Sequence, residues 1–461
     1  MPPVGTIAGE LVRAAIVGAG FLLIFAIAEA WRKMASPPVE WTRKFVHFGG
    51  GIVAASFPWL FRWHWTVVAL AGVFFLILWG SRRLALLESV HGVQRKSEGG
   101  LYYPIAVYLL FLIASDDPIF YVISLLVLVV SDTVAAILGS SYGRVNYTVE
   151  TDRRTVEGSL IFFLSTFLVV HLPLLLLAST APLLSVMAAF QIALLMTLFE
   201  GISLRGNDNL IVPLVTYFLL IKLTAHTPAF LAWQIGAQLL IMAILAIIAW
   251  RFQFLTASGA MAFMLFYYGA YGLGGRVWTI APTLALVAYI VFYSVRQRLP
   301  GTVNPQYQVV AAFYVAIVPG MLYVANNIFE TMVRLPDFIT GKPLYVPYLG
   351  AVAAQLALIV YDTDQSRART ERKVLRFRVL AALMSLAVVV PIGLLVGREF
   401  DVRSLALAAF VVAMATLVNH LAQTTLKSVR LRDRNLRILR LQTASVLASV
   451  LLMILIEYSA G

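Results

Sequence analysis

The chain has 461 residues, 61% of them apolar and only 12% charged, with 35 Lys and Arg against 22 Asp and Glu. A soluble domain is near a quarter charged, so these charges cannot build a solvated shell, and a mean hydropathy of +0.88 points to a polytopic membrane protein. The absence of cysteine excludes disulfides, a cysteine nucleophile and thiolate metal sites, the scattered histidines lack a zinc-ligand spacing, and the net charge of +13 is the basic excess of cytoplasmic loops, not a sign of nucleic-acid binding.

Apolar runs of spanning length predict an all-α fold, a bundle of about sixteen transmembrane helices. The first, at 12–31, lies between Arg13 and the pair Arg32-Lys33. Ala28-Glu29-Ala30 mimics a signal cleavage site, but the basic pair favours retention as a helix. Segments follow at 46–61, 65–80, 101–114, 118–139, 158–177, 181–199, 209–224 and 231–250. A second set follows at 255–273, 277–295, 305–325, 343–361, 379–396, 404–424 and 441–458. The loops near 32–45, 81–100, 140–157, 200–208, 251–254, 296–304, 363–378 and 425–440 alternate to one side and hold roughly three-quarters of the Lys and Arg. The positive-inside rule therefore predicts these loops in the cytoplasm and the N-terminus outside. Loop character changes near residue 251, which predicts two transmembrane domains, 1–250 and 251–461.

The chemistry-bearing stretch runs from Ser131 to Ser159. Asp132, Ala135, Ala136, Gly139 and Gly143 recur at helical spacing on one face. A carboxylate at membrane depth costs about 2.5–3.5 kcal/mol, so Asp132 is expected to face a polar cavity. Small residues beside it let a helix or a ligand approach closely. The following loop supplies Arg144, Arg153 and Arg154, and Thr155, Glu157 and Gly158 open the next helix. Arginine suits phosphate oxygens, a helix N-terminus offers free amides to phosphate, and Asp132 or Glu157 suits magnesium. Taken singly, the glycines read as helix packing and the arginines as topology signals; the combination points to a nucleotide triphosphate and its metal.

This stretch resembles the nucleotide-binding signature of the CTP-dependent lipid-alcohol kinases, the superfamily of dolichol kinase, phytol kinase and yeast-type diacylglycerol kinase. The signature D-x-x-A-x-x-x-G-x-x-x-G is met at Asp132, Ala135, Gly139 and Gly143. Its K-K-T-x-E-G part is met at Thr155, Glu157 and Gly158, with Arg153 and Arg154 replacing the lysines. Arg43-Lys44-Phe45-Val46-His47 resembles the family's R-K-x-x-H, and Gly99-Gly100-Leu101-Tyr102-Tyr103 its G-x-L-Y-Y. Glu200 with Asp208-Asn209-Leu210 and Val212-Pro213 resembles its E…D-N-L-x-V-P. All four stretches fall at helix ends on the expected cytoplasmic face.

The resemblance implies transfer of a phosphoryl group from CTP to a membrane isoprenoid alcohol such as phytol, dolichol or a polyprenol. In this reading Asp132, Glu157 and Asp208 hold Mg2+, while Arg43, Lys44, Arg153 and Arg154 offset phosphate charge. His47, Tyr102, Tyr103, Glu200 and Asn209 contact or support the substrate. Three alternatives stand beside it: a diacylglycerol kinase, a lipid cytidylyltransferase that releases pyrophosphate, and a secondary transporter. A transporter should carry its charges near the bilayer midplane, whereas here they gather at one face.

The C-terminal half carries a second resemblance, to the phytyl-phosphate kinase-like membrane family. It rests on Leu255-Thr256-Ala257-Ser258-Gly259-Ala260, Gly272-Leu273-Gly274-Gly275, Gln308-Val309-Val310-Ala311, Tyr348-Leu349-Gly350-Ala351-Val352-Ala353 and Asp362-Thr363. The Gly-rich segment expected after Asp362 is replaced by basic residues from Arg367 to Arg378, so this half is expected to be non-catalytic.

Overall fold

The computed structural model describes residues 5–84, 98–297, 306–332, 344–365, 402–425 and 434–460, with the single positions 87, 89, 385 and 388. It is a predominantly helical, multi-pass membrane protein. Among the described residues, ten helices are long and apolar enough to cross a bilayer, and Gly99–Ala114 and Tyr345–Tyr361 are shorter apolar helices. The leucines at 160, 164, 168 and 172 show how such a helix meets lipid. They recur every fourth residue along one ridge and stand about half exposed, a face that water would penalise and hydrocarbon accepts.

The chain divides into two compact units, Met1–Ala237 and Gln238–Gly461. The first unit begins with α1 (Ile7–Ala35), whose first turn is capped by the Thr6 hydroxyl accepting from the Gly9 amide at 3.1 Å. There follow α2 (Val39–Ala55), the single turn α3 (Phe57–Leu60), α4 (His64–Arg83), α5 (Gly99–Ala114) and α6 (Pro118–Leu126). A π-helical turn, Val127–Ser131, joins α6 to α7 (Asp132–Tyr142). After a hairpin come α8 (Val156–Leu176), α9 (Pro182–Gly201), α10 (Asp208–Thr224) and α11 (Pro228–Phe252), the last reaching past the boundary between units.

The hairpin pairs β1 (Asn146–Val149) with β2 (Asp152–Thr155), Tyr147 opposite Arg154 and Thr148 opposite Arg153. The sequence predicts a loop here, in an all-α chain. Its two-residue turn, Glu150-Thr151, needs a left-handed residue, and Glu150 takes φ +53° without the glycine or asparagine that would announce it.

An apolar cluster that includes Ala54, Phe57, Phe61, Val107, Phe111, Tyr121, Leu125 and Val129 fills one end of this unit. Along α2 and α5 the polar residues lie at the opposite end, near the helix starts. Gly51 lets α2 press against the π turn: a Cβ there would meet Val129 Cγ2 at 2.2 Å.

The second unit contains α12 (Ala257–Gly269), which runs into a π turn at Ala270–Gly274, a 3-10 turn at Arg276–Thr279, and α13 (Ile280–Gln297). Next come α14 (Val309–Met332), α15 (Tyr345–Gln365), α16 (Val402–Thr425) and α17 (Arg434–Ala460). The span expected at 379–396 lies outside the described residues apart from positions 385 and 388. Several other expected spans are short helices. α2 and α10 have 17 residues each, about 25 Å at 1.5 Å per residue, less than the ~30 Å of hydrocarbon. The side chains of Asp362 and Asp364, and the basic run after them, also lie outside the described residues.

Candidate functional site

A buried ion pair in the first unit joins α2 to α7. The Lys44 ammonium lies 2.5 Å from Asp132 Oδ2, with the lysine side chain 2% and the aspartate 15% exposed. His47, one turn along α2, brings Nε2 to 3.6 Å from the same oxygen. The His47 ring also bonds the backbone carbonyl of Leu128, inside the π turn. Such turns leave the regular ladder and are frequent at functional sites. The edge of Tyr103, from α5, stands against the His47 ring with centroids 5.1 Å apart. The Tyr103 hydroxyl is buried with no hydrogen-bond partner among the described residues. Arg43, half-buried, pairs with Glu40 one turn earlier on α2 and also feels the charges of Asp132 and Asp208.

A second ion pair, Arg154 with Glu200, joins the hairpin to the end of α9. Arg154 also donates to the Ser203 hydroxyl at 2.8 Å and the Ser203 carbonyl at 3.1 Å. Burial works against its charge, and Glu200 and Asp208 outweigh burial, so its pKa rises above the ordinary arginine value. The two arginines of the signature part company here. Alternation along β2 turns Arg154 inward and leaves Arg153 exposed. Tyr147, directly opposite Arg154, shares the inward face and contacts the Ser159 hydroxyl at 2.9 Å.

The two halves of the signature fold onto each other. A Cβ on Gly139 would meet the Gly158 Cα at 2.9 Å, and one on Gly143 would meet Thr155 Cγ2 at 2.5 Å. The glycines thus let α7 lie against the first turn of α8. That turn is already satisfied: the Val156 amide donates to the Val145 carbonyl and the Gly158 amide to the Thr155 hydroxyl. Glu157 accepts from the Val145 amide at 3.1 Å and from its own amide. The expectation of free amides waiting for phosphate is therefore not met, because the chain caps its own helix. Glu157 braces the hairpin, and Arg144 lies on the exposed connection beside it.

The other two stretches also meet. Gly99, at the start of α5, packs on Asn209, where a Cβ would come within 2.5 Å of the amide nitrogen. The Glu98 amide donates to the Arg205 carbonyl at 2.8 Å, and Tyr102 donates to the Glu98 carboxylate at 3.1 Å. Asp208 accepts from the Asn209 amide at 3.0 Å and acts electrostatically on Arg43, Arg154 and Glu200. The residues missed by sequence reasoning are Tyr147, Ser203 and the Leu128 carbonyl. The alternating stretch from Asn146 to Val149 was the signal for Tyr147; the carbonyl had none.

Among the described residues no group of three or more acidic or histidine side chains forms a ready metal cage. Magnesium usually takes one or two protein carboxylates and completes its shell with phosphate oxygens and water. Asp132 and Asp208, in one electrostatic neighbourhood, fit that donor set.

No family model and no solved structure matches the chain. A phytol kinase from Synechocystis sp. is 37% identical to it over 190 residues, 41% of this chain and 81% of that protein. With most of that relative aligned, and with the signature stretches drawn together at one end of the first unit, the chain belongs to the family of membrane lipid-alcohol kinases that includes this phytol kinase.

Proposed function

We propose that this kinase transfers the γ-phosphoryl group of CTP to the hydroxyl of a membrane isoprenoid alcohol at the cytoplasmic face, giving a lipid monophosphate and CDP. The lipid oxygen bonds to the γ-phosphorus. The bond from that phosphorus to the β–γ bridging oxygen breaks, CDP leaves with the electron pair, and the hydroxyl proton is released. Little covalent work falls to the protein in such a reaction; positioning and charge carry it.

The observation that carries the reading is the buried Lys44–Asp132 pair, with Arg43 and Arg154 converging on the same end. Burying a lysine and an arginine beside carboxylates is costly, and a triphosphate gives those cations a purpose. Asp132 and Asp208 would hold magnesium, which would supply positive charge against the phosphates. Tyr103, His47 and the apolar core behind them suit an alcohol entering from the bilayer. CTP as donor rests on the signature's resemblance, and phytol as first substrate on the printed function of the Synechocystis relative.

The test is to offer the purified protein γ-labelled CTP, ATP, GTP and UTP with phytol, a polyprenol or diacylglycerol. Label in phytyl or polyprenyl monophosphate, from CTP above the others, is the expected result. Pyrophosphate release, or label in diacylglycerol alone, would replace this reading with one of its rivals.

A further inference from the structure

The second unit holds an apolar cavity of about 110 Å3 between α11, α12, α13, α14 and α15. It is partly open, and comparable to the about 150 Å3 of an apolar cavity that stays dry and takes up benzene. Phe254, Phe266, Leu286 and Leu356 form part of its wall. Among the described residues that line it, Tyr267, Tyr289, Tyr307 and Gln355 are the only ones with polar side-chain atoms, and none is charged. Gln355 is turned to Gln442 at 3.5 Å. Tyr289 faces Tyr307 with ring centroids 6.0 Å apart. The Tyr267 hydroxyl is turned to Thr283 and that of Tyr289 to Tyr307, but among the described residues neither buried hydroxyl makes a hydrogen bond of ordinary geometry.

We propose that this cavity is a binding site for a lipid alcohol, taking part of its branched hydrocarbon chain against the aromatic wall and its hydroxyl between Tyr267 and Tyr289. Three features select that ligand. The helices stand in lipid, so a hydrocarbon chain reaches the cavity without crossing water. An uncharged lining rejects a charged head group, because a buried charge without a partner costs far more than a hydroxyl. Two tyrosine hydroxyls short of good partners match a group that donates and accepts at once. Arg296, buried at the end of α13, acts electrostatically on Tyr289 and Tyr307 but does not line the cavity. The choice of an alcohol rests on the kinase reading of the first unit; the cavity itself does not.

The experiment labels the full-length protein with a photoactivatable phytol analogue and maps the labelled peptides. Label is expected on peptides within 254–359, competed by phytol more strongly than by phytyl monophosphate. Asp132→Asn, which disables the proposed kinase site, should leave this labelling unchanged, so a failure of the kinase reading and a failure here are told apart. Ala285→Phe and Ala316→Phe fill the cavity and should weaken labelling about tenfold or more, as loss of apolar pocket contacts does. Label confined to the first unit of the unsubstituted protein overturns the proposal whatever the variants do. Stronger competition by phytyl monophosphate overturns the choice of an uncharged head.

Discussion

Lys44 and Asp132 are the buried ion pair at the centre of the proposed site. Removing one member of a buried pair strands the other, typically at 3 kcal/mol or more; Asp132→Asn should therefore lower the thermal midpoint in detergent as well as turnover. Pairing it with Lys44→Met removes the stranded cation. The double variant should recover most of the midpoint while turnover stays down by about a hundredfold or more, the usual loss for an electrostatic stabiliser. Recovery of both would make the pair structural only. The arginines allow a sharper contrast. Arg154→Ala removes the partner of Glu200 and Ser203 and should cut kcat/KM far more than Arg153→Ala, which acts on an exposed side chain; equal losses would contradict the inward role of Arg154. In the sequence the two are neighbours of equal charge. Their different roles depend on a hairpin whose turn residue, Glu150, gives no cue.

At the scale of elements, close backbone approach decides more than charge. Gly139→Ala would push a methyl into the Gly158 backbone at 2.9 Å, where no flexible side chain can yield. It should separate α7 from α8, lowering both the thermal midpoint and nucleotide affinity; an unchanged protein would show that this approach is looser than drawn. The helical periods and the signature stretches were legible from apolar run length and residue spacing. Two features were not. The π turn at Val127–Ser131 is an uninterrupted apolar run that reads like any other turn of helix, yet it aims the Leu128 carbonyl at His47. The closed first turn of α8 was also hidden, because its partners, the Val145 carbonyl and amide, are backbone groups whose position follows from the hairpin. The span expected at 209–224 matches α10 to within one residue, whereas α2 begins seven residues before the span expected at 46–61, because Glu40, Arg43 and Lys44 hide its start from hydropathy.

For the whole molecule, two units and ten helices long and apolar enough to span, among the described residues, set the frame, and the basic loops predict the sidedness. A cysteine placed in the hairpin loop at 140–157 should react with membrane-impermeant reagents only from the cytoplasmic side; labelling from outside would overturn the proposed route for CTP. In the proposed reading, the apolar cavity of the second unit holds hydrocarbon chains and the polar cluster of the first handles phosphate. The most direct test of the central claim follows label from γ-labelled CTP into phytol in a single turnover. The experiment compares the unsubstituted protein with the Lys44→Met/Asp132→Asn double variant at matched thermal stability. The account predicts labelled phytyl monophosphate from the first and almost none from the second. Equal label from both would place the chemistry somewhere other than the Lys44–Asp132 pair.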